Sequence, residues 1–263
     1  MQVDRRHFLV ALSAVTVGAM GLTRYAVGGQ PGAAEATAVA VEQLPALLPP
    51  PPPEARVALP GGGVLSSLPG DGDLLALTVD DGVSSEVVRL YTEFARDTGV
   101  RLTYFVNGAY RSWTENQALL RPLVDEGQIQ LGNHTWSHPD LTKLPLTVVA
   151  EELRHTHDFL WKSYGVDARP YFRPPYGAHN AHVDKISSEL GYTANTLWSG
   201  SLEDHVVIPG DEIMRMAEKY FAPSAIVIGH LNHEPVTHIY GRLVELIRER
   251  RLRTVTLKDV YRG

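Results

Sequence analysis

Leu74-Leu75-Ala76-Leu77-Thr78-Val79-Asp80-Asp81-Gly82 is a short apolar run that stops on two carboxylates and a glycine. Such a run reads as a strand buried on both faces, as in a parallel sheet covered by helices. Six more β-rich runs follow at Leu102–Val106, Ile129–Leu131, Tyr171–Phe172, Tyr192–Trp198, Ala225–Ile228 and Thr254–Leu257. Between them, Ser85–Asp97, Asn116–Glu126, Leu146–Tyr164, Val183–Leu190, Asp211–Phe221 and Tyr240–Arg250 carry apolar residues at helical spacing. Strand–helix alternation of this kind predicts an α/β fold with a parallel sheet. Seven units predict one domain built as a distorted (β/α)7-type barrel, with an open sheet as the alternative.

The polar residues sit where such a barrel would use them. Asp80-Asp81 ends the first run, His134 follows the third, Arg173 the fourth, Asp204 the fifth, and His230 ends the sixth. Active sites of parallel barrels lie at the carboxyl ends of the strands, so these residues are expected on one rim. A regular strand would point Asp80 and Asp81 to opposite sides, but the glycine allows a turn that brings both to one place. Two adjacent carboxylates ionise together cheaply only with a cation between them. His134 and His138, spaced i and i+4, are expected on one face of a helical turn. Two imidazoles and a carboxylate make a metal site that keeps open positions. Arg173-Pro174-Pro175-Tyr176 is stiffened by its prolines. It could hold a carboxylate ionised through Arg173 and present the Tyr176 N–H to a developing oxyanion.

Bulk properties narrow the field. The chain has 263 residues, 44% hydrophobic and 21% charged, enough for one domain with a sizeable core. A net charge of -6 speaks against a nucleic-acid partner, and the absence of cysteine excludes disulfides, thiolate metal sites and a cysteine nucleophile.

The amino-terminal part has another character. Arg5-Arg6 precedes Phe8-Leu9-Val10 and a weakly apolar run free of charge as far as Thr23. Residues 1–30 are expected to be a twin-arginine-type export signal recognised by that export machinery, which places the protein outside the cell. The run is short and polar for a bilayer span, which needs roughly 20 apolar residues, so no stable membrane span is expected after signal cleavage. Residues 31–55, rich in Ala and Pro and ending in Pro49 to Pro53, are expected to be an extended linker ahead of a catalytic domain at 56–263.

Taken in order, Thr78-Val79-Asp80-Asp81-Gly82, His134-Thr135-Trp136-Ser137-His138, Arg173-Pro174-Pro175-Tyr176 and Ile228-Gly229-His230 resemble the motifs of the polysaccharide deacetylase family, carbohydrate esterase family 4. Thr103-Tyr104-Phe105-Val106-Asn107-Gly108 agrees as well, and the resemblance extends from about Asp73 to Val260. It implies a distorted barrel binding one divalent metal, commonly Zn2+ with Co2+ as a substitute, and removal of acetyl groups from an acetylated glycan. Asp81, His134 and His138 would hold the metal, and Asp80 would act as base. Tyr176 would support the oxyanion, and His230 would protonate the leaving group. Arg173 would orient Asp80, and Asp204 would orient His230. Ile228 would wall the acetyl methyl. The stretch Ser201-Leu202-Glu203-Asp204-His205 departs from the family's Asp-x-x-Asp-Trp, which makes His205 a candidate for substrate contact. Two rival readings use the same residues: an amidase acting on a small cyclic or linear amide, and a catalytically silent glycan-binding protein.

Overall fold

The computed structural model describes residues 46–61 and 63–262. The expected export signal, and the linker as far as residue 45, lie outside the described residues. The elements are β1 (Val57–Ala58), β2 (Val64–Leu65), β3 (Leu74–Asp81), α1 (Ser85–Thr98), β4 (Leu102–Val106), α2 (Ser112–Glu115), α3 (Gln117–Asp125), β5 (Ile129–Asn133), α4 (Leu146–Tyr164), β6 (Tyr171–Phe172), α5 (Ala181–Glu189), β7 (Ala194–Thr196), β8 (Gly200–Ser201), α6 (Gly210–Tyr220), β9 (Ala225–His230), α7 (Tyr240–Glu249), β10 (Arg253–Thr254), α8 (Leu257–Val260) and β11 (Tyr261–Arg262). No helix among the described residues is long and apolar enough to cross a membrane.

The main sheet runs β2-β7-β6-β5-β4-β3-β9-β8, with β10 against the start of β3, and every strand pair in it is parallel. It curls so far that the chain leaving β7 at one end of the sheet reaches β9 near the other as β8. The expected distorted barrel is therefore the fold observed. Two strand expectations need correction. Tyr192–Trp198 is not one strand, because the chain bends after Thr196 to move from β6 to β9. Thr254–Leu257 is a strand only at Arg253–Thr254, because Thr256 caps α8 through a capping box with Asp259 and turns the chain into a helix.

Strand parity divides the core. Leu75, Leu77 and Val79 pack outward with Leu102, Tyr104, Val106, Ile129, Leu131 and Val227 under the helices. Each such fully buried aliphatic chain contributes about 1.5–3 kcal/mol. Ala76, Phe105, Tyr171, Ala194 and Ile226 form the inner cluster with Leu257 and Tyr261. Counting by twos from Ala76 reaches Thr78 and then Asp80, so the period of a strand by itself aims Asp80 into the barrel.

Helix ends follow local chemistry. Ser84 caps α1 by accepting from the Val87 N–H, and Gly99 ends that helix in the left-handed conformation. The described part of the proline-rich stretch lies against the domain, with Leu47 packed on the helix-facing core.

The bend between β7 and β8 depends on a close approach. A Cβ on Gly200 would lie 2.5 Å from Cβ of Tyr220 in α6. Gly200→Ala is expected to destabilise the fold by about 1–3 kcal/mol, the range for overpacking, measured as a lowered denaturation midpoint at unchanged m.

Candidate active site

The residues singled out at the strand ends converge on one cleft of about 450 Å³, lined among others by Asp80, Asp81, His134, His138, Tyr176 and His230. Five non-glycine residues on the segments that build it have positive φ: Asp81 (76°), Thr135 (71°), His138 (62°), Tyr176 (61°) and Glu203 (57°). Backbone held in this sparsely populated region is the means by which ordinary loops are bent to aim side chains.

Asp80 and Asp81 reach the same cleft because Asp81 itself turns left-handed at the strand end. Gly82 continues the turn at φ 102°, and a Cβ there would sit 2.5 Å from the Trp113 ring. The Trp113 indole N–H in turn donates to the Asp81 carbonyl at 3.2 Å. His134 and His138 also converge, with ring centroids 4.9 Å apart, but not on a helical turn as their spacing suggested. The segment from His134 to His138 is a loop, and the left-handed Thr135 and His138 do the work assigned to helical geometry.

Ligand atoms of Asp81, His134 and His138 lie within 4.8 Å of one another. Asp81 Oδ1 is 3.4 Å from Nε2 of each histidine and is buried without a hydrogen-bond partner among the described residues. An unpaired buried carboxylate oxygen between two imidazole nitrogens is the arrangement a cation would satisfy. His134 Nδ1 lies 2.7 Å from the Arg173 carbonyl, which can only accept, so the proton sits on Nδ1 and the Nε2 lone pair points to the shared position. The three residues therefore fit a divalent metal with N and O ligands. Burial opposes ionisation of Asp81, but the nearness of the His134 and His138 imidazoles and a hydrogen bond from Asn232 hold its carboxyl well below the usual range. His138 is pushed below the ordinary imidazole value by burial and by His134, which favours its neutral form.

Beside this cluster, Asp80 is held by a fully buried arginine. The Arg173 guanidinium donates to Asp80 Oδ1 at 2.6 Å, to the Thr196 carbonyl at 3.0 Å and to the Leu197 carbonyl at 3.1 Å. It also lies over the Phe105 ring, 4.2 Å from its centroid. Phe105 has room there only because a Cβ on Gly132 would come within 2.7 Å of its ring. Asp80 Oδ2 remains on the cleft side, 3.5 Å from His134 Nε2.

On β9, His230 Nδ1 lies 2.9 Å from Asp204 Oδ1, and Asp204 Oδ2 accepts the His230 backbone N–H at 3.1 Å. Asp204 thus fixes both the tautomer and the ring orientation, leaving Nε2 free. Burial lowers the His230 pKa, but the Asp204 hydrogen bond and charge outweigh it and raise the imidazole above its ordinary value.

Ile228 and His205 also line the cleft, and His205 stands 5.8 Å from the His230 ring between centroids. Tyr176 is exposed and packs its edge on His138. Away from the cleft, His179 Nδ1 pairs with Asp184 at 2.9 Å. His233 points its Nε2 at the His205 carbonyl, at 3.2 Å. Sequence reasoning missed Asn232 and Trp198. Asn232 donates to Asp81 Oδ2 at 2.6 Å and accepts from the Val83 N–H, tying the β9 loop to the β3 turn. Its signal was slight, an amide two residues beyond His230.

The fold and site define a candidate metal site of one carboxylate and two imidazoles on a curled parallel α/β barrel. The sequence profile of the polysaccharide deacetylase family matches residues 68–195, and the chain is similar to that family, carbohydrate esterase family 4, over this region. A peptidoglycan-N-acetylglucosamine deacetylase of Listeria monocytogenes is 29% identical over 191 residues, 71% of this chain and 38% of that protein. A chitin deacetylase of Arthroderma benhamiae is 30% identical over 209 residues, 76% of this chain and 55% of that protein. A solved peptidoglycan N-acetylglucosamine deacetylase superposes with a TM-score of 0.68 at 22% identity, covering 75% of this chain and 92% of that one. The chain spans 47% and 38% of the length of the first curated relatives it matches.

Asn232→Ala should weaken metal binding by about 10–100-fold, the effect of losing a group that orients a ligand carboxylate. Competition with a chelating dye measures it, and unchanged affinity would remove Asn232 from the site. His134→Ala should abolish binding in the same assay.

Proposed function

We propose that this chain is an exported metal-dependent deacetylase that removes acetyl groups from an N-acetylated polysaccharide. The observation that carries the reading is the convergence of a three-ligand metal cluster, a clamped carboxylate and a carboxylate-backed histidine on one cleft. The names of the Listeria and Arthroderma relatives support an amide-linked acetyl group on peptidoglycan or chitin-like glycan. The paired Arg5-Arg6 ahead of an apolar run supports export.

A divalent cation, Zn2+ or Co2+, would be held by Asp81, His134 and His138, and supplies a Lewis acid that polarises a carbonyl and lowers the pKa of water. Asp80, kept oriented by Arg173, takes the proton from the attacking water. Ile228 offers an apolar wall to the acetyl methyl, and the Tyr176 N–H assists the oxyanion. His230 donates its proton to the departing amine nitrogen, with Asp204 stabilising the charged imidazole. His205 stands where a bound sugar would be read.

Purified protein should release acetate from N-acetylglucosamine oligomers or peptidoglycan, lose this with chelator and regain it with Zn2+ or Co2+. Turnover of small cyclic amides without acetate release would instead favour an amidase, and glycan binding with no turnover a silent binder. Asp80→Asn should retain metal but lose at least ~100-fold in kcat, the low end for a general base. The acid histidine works while protonated, so activity should fall as pH rises through its raised pKa. Asp204→Asn removes the main support for that shift and should move the alkaline limb of kcat/KM to lower pH. An alkaline limb that stays in place would show that His230 is not the acid.

A further inference from the structure

A second cavity, of about 360 Å³, opens at the amino ends of the strands, away from the catalytic rim. Its walls include Arg56, Arg101, Gln130, Arg169, Lys258 and Asp259. Two of these cations are already neutralised. Arg101 holds Asp259 at 2.6 Å and Arg169 holds Asp167 at 2.6 Å. Both Asp259 oxygens are engaged by Arg101, and one also accepts the Thr256 N–H, so this acid presents little free charge to the cavity. Glu126, at the solvent edge, is the other acidic residue of the wall.

The remaining cations lack a carboxylate partner among the described residues. Arg56 and Lys258 form no ion pair among the described residues, and Arg56 Nε is buried without a hydrogen bond. Gln130 is 4% exposed, and its Nε2 is likewise unpartnered. Its orientation is set by the Lys258 N–H, which donates to Gln130 Oε1 at 2.8 Å, so flipping the amide would only exchange one unmet need for another. Two cations without an ion-pair partner and a buried amide N–H₂ without an acceptor line one cavity, and an oxyanion with several acceptor atoms would answer them together.

We propose that this cavity binds a phosphate group, free or carried on a larger molecule. A tetrahedral phosphate accepts from several directions at once, as Arg56, Gln130 and Lys258 require, and the cavity has room for a carrier beyond it. Arg56 immediately precedes β1, which pairs with β11 beside Lys258, so a bound phosphate would also tie the start of the domain to its end. None of these residues belongs to the catalytic rim, and the site does not depend on the deacetylase reading.

Inorganic phosphate and glycerol 3-phosphate, titrated separately into the full chain, should each raise the melting temperature and shift the 31P resonance; tighter binding of the glycerol ester would show that a carrier is recognised. Lys258→Met and Arg56→Gln should each weaken binding by about tenfold, the worth of one charge-assisted contact, with acetate release unchanged. His134→Ala should bind phosphate as the parent does. Loss of binding in that variant would place the anion in the metal cleft and overturn the proposal. So would no phosphate response in the parent, or undiminished binding in a folded Lys258→Met protein.

Discussion

The buried contact between Arg173 and Asp80 is the constraint on which the rest of the site depends. A guanidinium with no access to water is tolerable only with every arm engaged, and here one carboxylate and two carbonyls of the β7 exit engage it. Removing either partner of such a pair costs about 3–5 kcal/mol, because the other is left charged and unpaired. Burial pulls the arginine below its ordinary pKa while Asp80 pulls it back, so the carboxylate supports the charge of the guanidinium. The same arginine, through its carbonyl, sets the proton position on His134. One residue thus serves the proposed base and a candidate metal ligand together.

That arrangement draws on backbone chosen for space. Gly132 leaves room for Phe105, Phe105 supports the guanidinium plane, and the bend after Thr196 brings two carbonyls to its edge. On the other side, Asn232 joins the β3 turn to the β9 loop, so that Asp81 and His230 are carried on a connected frame. The candidate catalytic rim is consequently a set of loops that the barrel holds in sparsely populated conformations. Such strain persists only where surrounding structure over-determines it, as the hydrogen bonds to Asp81 and Thr135 show.

The two ends of the barrel differ in kind. At the carboxyl ends, acids and imidazoles gather around a position for a cation. At the amino ends, unpaired basic and amide donors gather around a position for an anion. Both follow from inward-facing residues of the same strands: Gln130 and His134 lie four residues apart along one strand and its exit, and each lines one of the two cavities. The strand period sends them inward, and their height in the barrel decides which cavity they face.

Much of this was legible in the chain. Strand and helix alternation, the strand-end position of Asp80-Asp81, His134, Arg173 and His230, and the order of the motifs are local properties, set by side-chain period and by turn residues. The sequence alone therefore determined a parallel α/β sheet, with a distorted barrel favoured over an open one, and the strand-end residues that share its rim. It could not reveal that His134 and His138 meet across two left-handed residues instead of a helical turn, because spacing is degenerate between those geometries. Nor could it show Asn232 on Asp81, Phe105 under Arg173, or Arg56 beside Gln130 and Lys258. Those contacts join residues far apart in the chain, and only the curling of the sheet decides which distant side chains share a buried volume, and hence which charges must be answered by a partner or a ligand.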